Sequence, residues 1–198
     1  SSDNWTRVNL ETGVGWLTAT TSCGDPPNGE AGKVYVAYRS RDTQQIHLGK
    51  LEARSTKHDW SSAPLSASAS TGLAITGCRP YISYFAPSDK TGHGKILFYD
   101  SVAKKLSTID EDGYLSRISL ASNKSGFHAV YNVENKGLFY AASPDGIDWK
   151  TQLMAPGKYT GSYNSLAVDD DGNIFIAYAD GTALKYMEYN VSSGKTVK

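Results

Sequence analysis

A tyrosine recurs at an even spacing along the chain, and this spacing constrains the fold more than any other feature. Each copy ends a short run of aromatic and β-branched residues, and the copies are Tyr38, Tyr84, Tyr131 and Tyr178. They lie 46, 47 and 47 residues apart. A fixed period of this length is typical of repeat architectures, in which each repeat is one supersecondary unit. The sequence therefore predicts four copies of one structural unit.

The fourth repeat shows the unit most clearly. Three short apolar or alternating runs, at 165–168, 174–178 and 183–189, are separated by turn-forming clusters at 169–173 and 179–182. Strands joined by short turns in this way predict an antiparallel meander. The third repeat has the same frame and adds a fourth strand. We therefore expect four small antiparallel sheets.

The repeats predict one all-β domain over residues 1–198, a four-bladed β-propeller. The expected blades lie at 16–65, 72–109, 114–154 and 163–189. The last repeat lacks a fourth strand, and residues 3–10 match the outer strands of other repeats through Trp5, which aligns with Trp60 and Trp149. An N-terminal strand that completes the last blade would close the ring and remove a bare sheet edge. An open array, a fragment of a larger propeller and a ring shared by two chains remain as alternatives.

Charge and hydropathy exclude several classes of partner. The chain has 20 basic and 20 acidic side chains and no net charge, whereas surfaces that bind nucleic acid or anionic membranes usually carry a basic excess. No run approaches the roughly 20 apolar residues that a membrane span needs. We therefore expect neither nucleic-acid binding nor a transmembrane segment.

The cysteines and the first residues favour a secreted protein. Cys23 and Cys78 fall in equivalent hairpin regions of adjacent repeats, so a disulfide between them is expected, with two free thiols as the alternative. A disulfide would imply an oxidising compartment. The chain begins Ser1-Ser2-Asp3 without Met, a start that removal of a signal peptide would leave.

The turn before Trp149 carries the most specific motif. Ser143, Asp145, Gly146 and Trp149 lie in the segment Ser-Pro-Asp-Gly-Ile-Asp-Trp. This segment resembles the Asp-box of sialidase-type propellers, Ser-x-Asp-x-Gly-x-x-Trp, although it is one residue short between Asp145 and Trp149. Residues 55–60 and 2–5 look like degraded copies. The resemblance implies a structural turn between the third and fourth strands of a blade, with Trp149 packed between blades; it does not imply catalysis.

Other family features are missing from the sequence. The arginine triad and nucleophilic tyrosine of sialidases have no counterpart that can be placed here. The blade rhythm is also similar to that of propeller lectins, including fungal fucose-binding ones. Their repeated Arg, Glu and Trp set is not found at equivalent positions.

Candidate ligand residues lie in the loops expected on one face of the propeller. The residue after each marker tyrosine differs between repeats, as Arg39, Phe85, Asn132 and Ala179. This difference favours one asymmetric site, or no shared ligand design at all, over four equal sites. Aromatic rings stack on sugar C–H faces, and Arg, Asp and Glu bind hydroxyl groups. The alternative is that the rings wedge between blades and the charges are only solvated. The candidates are Trp16, Arg39, Arg41, Asp42, Asp112, Tyr114, Arg117, Glu134, Tyr159 and Tyr163.

We therefore predict a secreted, non-enzymatic propeller that binds a glycan or glycoconjugate, with no cofactor. One alternative is a glycoside hydrolase or lyase with an acid pair at the channel mouth, Asp112 with Glu134 or Glu111 with Asp42. Another is a scaffold for protein interactions. A metal site is not expected, because residues 169–173 read as a hairpin turn and lack the acidic residue that ends a calcium loop.

Overall fold

The computed structural model describes residues 14–22, 33–52, 58–59, 65–68, 73–76, 79–88, 90–114, 117–190 and 195–196. Within these ranges the protein is all-β, and its strands form four antiparallel sheets. The described part contains no helix of the length and apolar character needed to cross a membrane. The prediction of an all-β chain made of small sheets is confirmed.

Each sheet is built from strands that are consecutive in the sequence. Sheet 1 contains β1 (Val14–Ser22), β2 (Lys33–Ser40), β3 (Gln45–Glu52), β4 (His58–Asp59) and β5 (Leu65–Ser68). Sheet 2 contains β6 (Leu73–Thr76), β7 (Tyr81–Pro87), β8 (His93–Asp100) and β9 (Lys105–Tyr114). Sheet 3 contains β10 (Ile118–Asn123), β11 (Gly126–Val133), β12 (Gly137–Ser143) and β13 (Lys150–Pro156). Sheet 4 contains β14 (Asn164–Val168), β15 (Asn173–Asp180), β16 (Ala183–Asn190) and β17 (Lys195–Thr196).

The marker tyrosines lie on the second strand of each sheet and are buried. Because side chains alternate across a strand, each sheet has two packing faces. We call the face that carries the marker tyrosine the near face and the opposite one the far face. The far face of one sheet packs on the near face of the next, so the tyrosines repeat because the core repeats.

Three apolar cores fill the junctions between consecutive sheets. The core between sheets 1 and 2 contains Ala37, Ile46, Ile75, Ile82, Tyr84 and Leu97. The core between sheets 2 and 3 includes Phe85, Ile96, Phe98, Ile109, Leu120 and Tyr131. The core between sheets 3 and 4 includes Val130, Leu138, Tyr140, Ile174, Ile176 and Tyr178. These junctions bury most of the large side chains of the described chain.

The first strands of consecutive sheets lie beside one another. β1 contacts β6, β6 contacts β10 and β10 contacts β14. No comparable contact joins β14 to β1, although both strands are described. The contacts between the described first strands therefore run in chain order from sheet 1 to sheet 4, and a comparable contact between sheets 4 and 1 is not seen in this part of the chain.

Two expectations about strand ends were wrong. Residues 110–113 were expected to lie between the second and third blades, but residues 110–114 belong to β9, which bulges where it pairs with β8. Gly113 lies against Phe85 there, and a Cβ atom at this glycine would come within 2.9 Å of the ring. Sheet 4 was expected to end at Tyr189, yet β17 starts a fourth strand by pairing with Tyr189 and Asn190.

Other expectations lie outside the described residues. These are the pairing of residues 3–10 with the last sheet and the disulfide between Cys23 and Cys78. The hairpin turn expected at residues 169–173 is confirmed. Asp169 Oδ1 there accepts hydrogen bonds from the backbone N–H groups of Asp171 and Asn173 at 3.0 and 2.8 Å.

Candidate functional site

One edge of the sheets gathers most of the candidate residues. It is formed by the turns at 41–44, 134–136 and 181–182 and by the connection at 157–163, and we call it the loop edge. β11 ends at this edge, whereas β10 begins there. Strand direction therefore brings residue 117, the turn after β11 and the connection after β13 to the same side of the molecule.

Arg117 and Tyr163 form the central contact of the loop edge. The guanidinium carbon of Arg117 lies 5.5 Å from the centre of the Tyr163 ring, within the range of a cation–π interaction. The backbone N–H of Arg117 donates to Oδ1 of Asn132 at 2.9 Å, which fixes the start of β10 against the end of β11. Tyr163 is 69% exposed. The pair is therefore positioned by sheets 3 and 4 but remains open to solvent.

Charged residues and a second exposed tyrosine lie on the same edge. Lys136 forms an ion pair with Asp112 of sheet 2. The ammonium of Lys158 lies 5.0 Å from the centre of the Tyr159 ring. Hydrogen bonding to Tyr159, together with the nearby carboxylate of Glu134, raises the pKa of Lys158. The edge thus alternates donors, acceptors and exposed aromatic rings.

Backbone hydrogen bonds hold the turn at 134–136 against the connection at 157–163. The N–H of Asn135 donates to the carbonyl of Lys158 at 3.0 Å, and the N–H of Gly157 donates to that of Lys136 at 3.1 Å. These bonds place Glu134, Lys136 and Lys158 beside one another. The two lysines were not among the sequence candidates, although both lie in loops that the strand pattern had assigned to this face.

The connection that carries both exposed tyrosines is itself well anchored. The buried hydroxyl of Thr160 donates to Asp180 Oδ1 at 2.8 Å. Lys185 donates to the other carboxylate oxygen at 2.5 Å, and these two bonds, with that of Lys185 the larger effect, lower the pKa of Asp180. Gly161 has a φ of 81°, and a Cβ atom there would come within 2.4 Å of Leu138. The tyrosines therefore project from a loop that is tied to sheets 3 and 4.

The remaining candidates lie elsewhere on or near the loop edge. Tyr114 packs edge-on against His93, with ring centres 4.9 Å apart. The guanidinium of Arg39 bonds the side chain of Gln44, whose amide in turn donates to the carbonyl of Arg41. Asp42 is exposed in the same turn. The structure shows no contact between this sheet 1 group and the sheet 3 and 4 group among the described residues.

Only the backbone of Trp16 is described. It lies in β1 between Val14 and Thr18, where the pairing of β1 with β2 shifts register. Nothing in the described part of the chain tests whether its ring reaches a ligand.

The opposite edge of the sheets holds the turn at 143–149. Asp145 Oδ1 accepts hydrogen bonds from the backbone N–H groups of Ile147 and Asp148 at 2.9 and 3.1 Å and from the hydroxyl of Ser143 at 3.0 Å. These bonds lower the pKa of Asp145. The Trp149 ring lies 5.2 Å from that of Phe98 in sheet 2. The turn thus has a structural role, because it fixes Trp149 between two sheets.

A cleft of about 370 Å³ opens beside this turn, between sheets 2 and 3. Its lining includes Phe98, Asp100, Leu106, Asp145 and Ile147. None of the candidate ligand residues lies in it. The candidate site therefore remains the loop edge of sheets 3 and 4.

Sheets that pack face to face in chain order around adjacent first strands define a β-propeller type of fold. A protein-family model described as a β-propeller repeat matches residues 148–177, from the end of the 143–149 turn to the second strand of sheet 4. No curated protein matches the chain in sequence.

Solved structures that are similar to this chain are also β-propellers. The chain is similar to the lectin of the fungus Aleuria aurantia, a six-bladed β-propeller that recognises fucose, with 14% identity and a TM-score of 0.61. This match covers 96% of the chain and 63% of the lectin. A Hadza microbial sialidase is similar with 12% identity and a TM-score of 0.51, over 85% of the chain and 36% of the sialidase. The chain thus spans less than two thirds of these proteins, and at such identities the likeness shows the fold alone.

Proposed function

We propose that the protein binds carbohydrate at the loop edge of sheets 3 and 4. The contact between Arg117 and Tyr163 carries this proposal, because it places a planar set of hydrogen-bond donors beside an exposed aromatic ring. Sugars present C–H faces that stack on aromatic rings and hydroxyl groups that bind charged side chains. At one point of the surface, the Tyr163 ring can stack on the C–H face of a sugar while the Arg117 guanidinium binds its hydroxyl groups.

The neighbouring charges extend the same surface. Lys136 and Lys158 offer donors, whereas Asp112 and Glu134 offer acceptors, within a short stretch of the loop edge. A ligand that presents several hydroxyl groups in different directions suits such alternation better than a uniformly charged ligand does. The anchoring of the connection at 157–163 also favours binding, because a positioned loop loses little entropy when a ligand binds.

The likeness to known propellers supports a glycan ligand at the level of class. The lectin was solved in complex with Fucα1-6GlcNAc, and the other protein is a sialidase. The identity of 12–14% does not carry over a sugar or a set of ligand residues. The proposal therefore concerns carbohydrate in general.

Hydrolysis is the weaker candidate at this edge. A glycosidase needs two carboxyl groups facing each other across a cleft that admits the substrate. Here Asp112 pairs with Lys136, Glu111 pairs with Lys95 at 2.6 Å, and Glu134 lies near Lys158. These acids are engaged by lysines, which favours a binding role over an acid–base role.

A glycan array followed by titration calorimetry tests the proposal. We expect selective binding of at least one saccharide by the wild-type chain, and its loss in the Arg117→Ala and Tyr163→Ala variants. Arg79→Ala is the matched control, because Arg79 is an exposed arginine at the opposite edge of sheet 2. No binding across a broad panel, or equal weakening by all three substitutions, would refute a carbohydrate site here.

We also propose an assignment of the blades, of the turn at 143–149 and of the N-terminal strand. We take each sheet as one blade, so that the chain contributes four, and we take the turn at 143–149 as a shortened Asp-box. We take residues 3–10 as a strand along the outer edge of β16, beyond Tyr189 and Asn190, which pair with β17. Limited proteolysis should leave residues 3–10 protected in the folded protein, and rapid cleavage there would argue against this assignment.

We further propose that the protein acts outside the cell with Cys23 and Cys78 joined. Adjacent repeats place the two cysteines in equivalent hairpin regions, and a bond between them would cross-link sheets 1 and 2. Intact mass with and without reductant should differ by two hydrogens; an unchanged mass would refute the bond.

A further inference from the structure

The connection at 157–163 carries two exposed tyrosines, and each has a cationic side chain beside its ring. Tyr163 is 69% exposed, and the guanidinium carbon of Arg117 lies 5.5 Å from its ring centre. Tyr159 is 55% exposed, and the ammonium of Lys158 lies 5.0 Å from its ring centre. The same combination, an open aromatic ring with a charged hydrogen-bond donor, therefore occurs twice on one short loop.

A tight turn keeps the two tyrosines close together. The backbone carbonyl of Tyr159 accepts hydrogen bonds from the N–H of Ser162 at 3.2 Å and from the Ser162 hydroxyl at 2.9 Å. A turn closed in this way keeps its first and fourth Cα atoms within about 7 Å, and Tyr163 lies one residue, about 3.8 Å, further along. The Cα atoms of Tyr159 and Tyr163 are therefore at most about 11 Å apart, a distance that a short oligosaccharide can span.

The residues between the two tyrosines point into the protein and anchor the loop. Thr160 is 2% exposed, and its hydroxyl donates to Asp180 Oδ1. Gly161 is buried against Leu138, and its N–H donates to the carbonyl of Ala179 at 2.7 Å. Both tyrosines are thus presented by a preorganised loop, so a ligand that contacts both loses little affinity to loop ordering.

The connection runs from the outer strand of one sheet to the first strand of the next. β13 is the last strand of sheet 3, and β14 is the first strand of sheet 4. Tyr159 lies three residues after the end of β13, whereas Tyr163 directly precedes β14. A ligand that contacts both tyrosines therefore extends across the junction of sheets 3 and 4, from its outer side towards the first strands.

The outer tyrosine also has a hydrogen-bond acceptor nearby. The Glu134 carboxylate is close enough to Lys158 to raise its pKa, although the hydrogen bond with Tyr159 has the larger effect. The N–H of Asn135 donates to the carbonyl of Lys158 at 3.0 Å, which holds the turn at 134–136 beside this tyrosine. The outer position therefore offers a ring, a donor and an acceptor, the groups that one sugar needs.

We propose that the site takes a linear oligosaccharide, with one sugar stacked on Tyr163 and a second, linked sugar stacked on Tyr159. This inference rests on the proposed carbohydrate function. A monosaccharide that stacks on Tyr163 and bonds Arg117 leaves the second ring and its donor unused. A chain of sugars repeats its C–H faces and hydroxyl groups along its length, so it matches a site that repeats a ring and a donor.

Titration calorimetry with a series of chain lengths tests the proposal. The probes are the saccharide selected on the glycan array and its linear homologues, from the monosaccharide to the hexasaccharide. We expect the dissociation constant to fall by about tenfold or more from the monosaccharide to the longer homologues, with one oligosaccharide bound per chain. Tyr159→Ala should remove most of this gain and leave the affinity for the monosaccharide unchanged, whereas Tyr163→Ala should weaken binding of the whole series.

Tyr186→Ala is the matched control. Tyr186 is 53% exposed, but it lies on the far face of sheet 4, which is turned away from sheet 3. This variant should bind the whole series like the wild type. Circular dichroism should show that all three variants are folded, because each replaced side chain is exposed.

The outcomes separate this inference from the proposed function. Equal affinity for the monosaccharide and its homologues, two monosaccharides bound per chain, or weaker monosaccharide binding in Tyr159→Ala would each overturn the two-sugar site. In each of these cases, binding that still depends on Arg117 and Tyr163 would uphold the carbohydrate site itself. No binding of any saccharide would refute both.

Discussion

The hydroxyl of Tyr131 donates a hydrogen bond to Oδ2 of Asp110 across 2.7 Å, and this bond joins the second strand of sheet 3 to the outer strand of sheet 2. Tyr131 is fully buried. Burial, assisted by the charge of Asp110 and by the hydrogen bond, raises the pKa of this tyrosine well above its usual value. The repeated tyrosine therefore does more in sheet 3 than fill the core, because it also ties one sheet to its neighbour.

Replacing Tyr131 with Phe should destabilise the protein by about 1.5 to 3 kcal/mol, since a hydrogen bond to a charged group is lost. Urea unfolding followed by fluorescence measures the change in the free energy of unfolding. Tyr84→Phe is the matched control: Tyr84 is the equivalent buried tyrosine of sheet 2, and its hydroxyl forms no hydrogen bond with the described residues. Equal losses in the two variants would show that the bond to Asp110 contributes little.

His128 should make the stability of the protein depend on pH below about 6.5, the usual value for an unfolded histidine. Burial lowers the pKa of His128 in the folded protein, where Nδ1 contacts the Tyr140 hydroxyl at 2.6 Å and Nε2 contacts Asn123 Oδ1 at 3.1 Å. As pH falls through 6.5, the unfolded chain takes up a proton that the folded chain does not. The free energy of unfolding should therefore fall, by at most about 1.4 kcal/mol per pH unit from this group.

A His128→Phe variant isolates this effect. Phe175 occupies the equivalent position in sheet 4, so phenylalanine suits the local fold, although Tyr140 then loses its partner. The variant should be less stable than wild type at pH 7.5, and the difference should shrink towards pH 5. Parallel pH profiles for wild type and His128→Phe would contradict the assignment.

Gly146 should be far less tolerant of alanine than Gly181. Both residues have a positive φ, 74° and 61°, so alanine costs about 1 to 2 kcal/mol of backbone strain at either position. At Gly146 the new Cβ would also lie 2.5 Å from the buried Phe98 ring, whereas at Gly181 nothing lies within 4 Å. The overpacking should add about 1 to 3 kcal/mol. Thermal unfolding of both variants measures the difference, and similar midpoints would mean that the Phe98 ring moves aside freely.

Binding of a saccharide should depend on Arg117 and Tyr163 in different ways. Tyr163→Phe keeps the ring and should change the dissociation constant by less than threefold, whereas Tyr163→Ala should weaken binding by about tenfold or more, the equivalent of 1.4 kcal/mol. Arg117→Lys keeps the charge but loses the planar donor set, so we expect weaker binding from it as well. Calorimetry with the saccharide selected on the array gives these constants. Full affinity in Arg117→Lys would show that charge alone suffices.

The sequence predicted the repeat and the strand order because local patterns encode them. The tyrosine at the end of each second strand, the alternation of residues 174–178 and the turn at 169–173 all act over a few neighbours in the chain. It did not predict that residues 110–114 continue β9. That outcome depends on Gly94 and Gly113 facing each other across the sheet, a contact between residues that are 19 positions apart in the sequence.

The same difference between local patterns and long-range contacts applies to the candidate site. The sequence was enough to list the loops on one side of the strands, and the candidate residues taken from those loops include Arg117, Tyr159 and Tyr163. Their partners could not be listed, because the pairing of Lys136 with Asp112 joins sheet 3 to sheet 2 and the contact of Arg117 with Tyr163 joins sheet 3 to sheet 4. Lys136 and Lys158 carry no motif and become part of the site only when the turns that hold them are packed together.

The sequence by itself determined that this chain forms small antiparallel sheets at a period of about 47 residues, with apolar residues recurring on the third strand of each. Only the tertiary structure decided which of these residues are buried. Leu138 and Leu184 hold equivalent positions on the third strands of sheets 3 and 4, yet Leu138 is covered by the next sheet and Leu184 faces solvent. The physical reason is that burial depends on what packs against a face, and a local pattern cannot contain its partner.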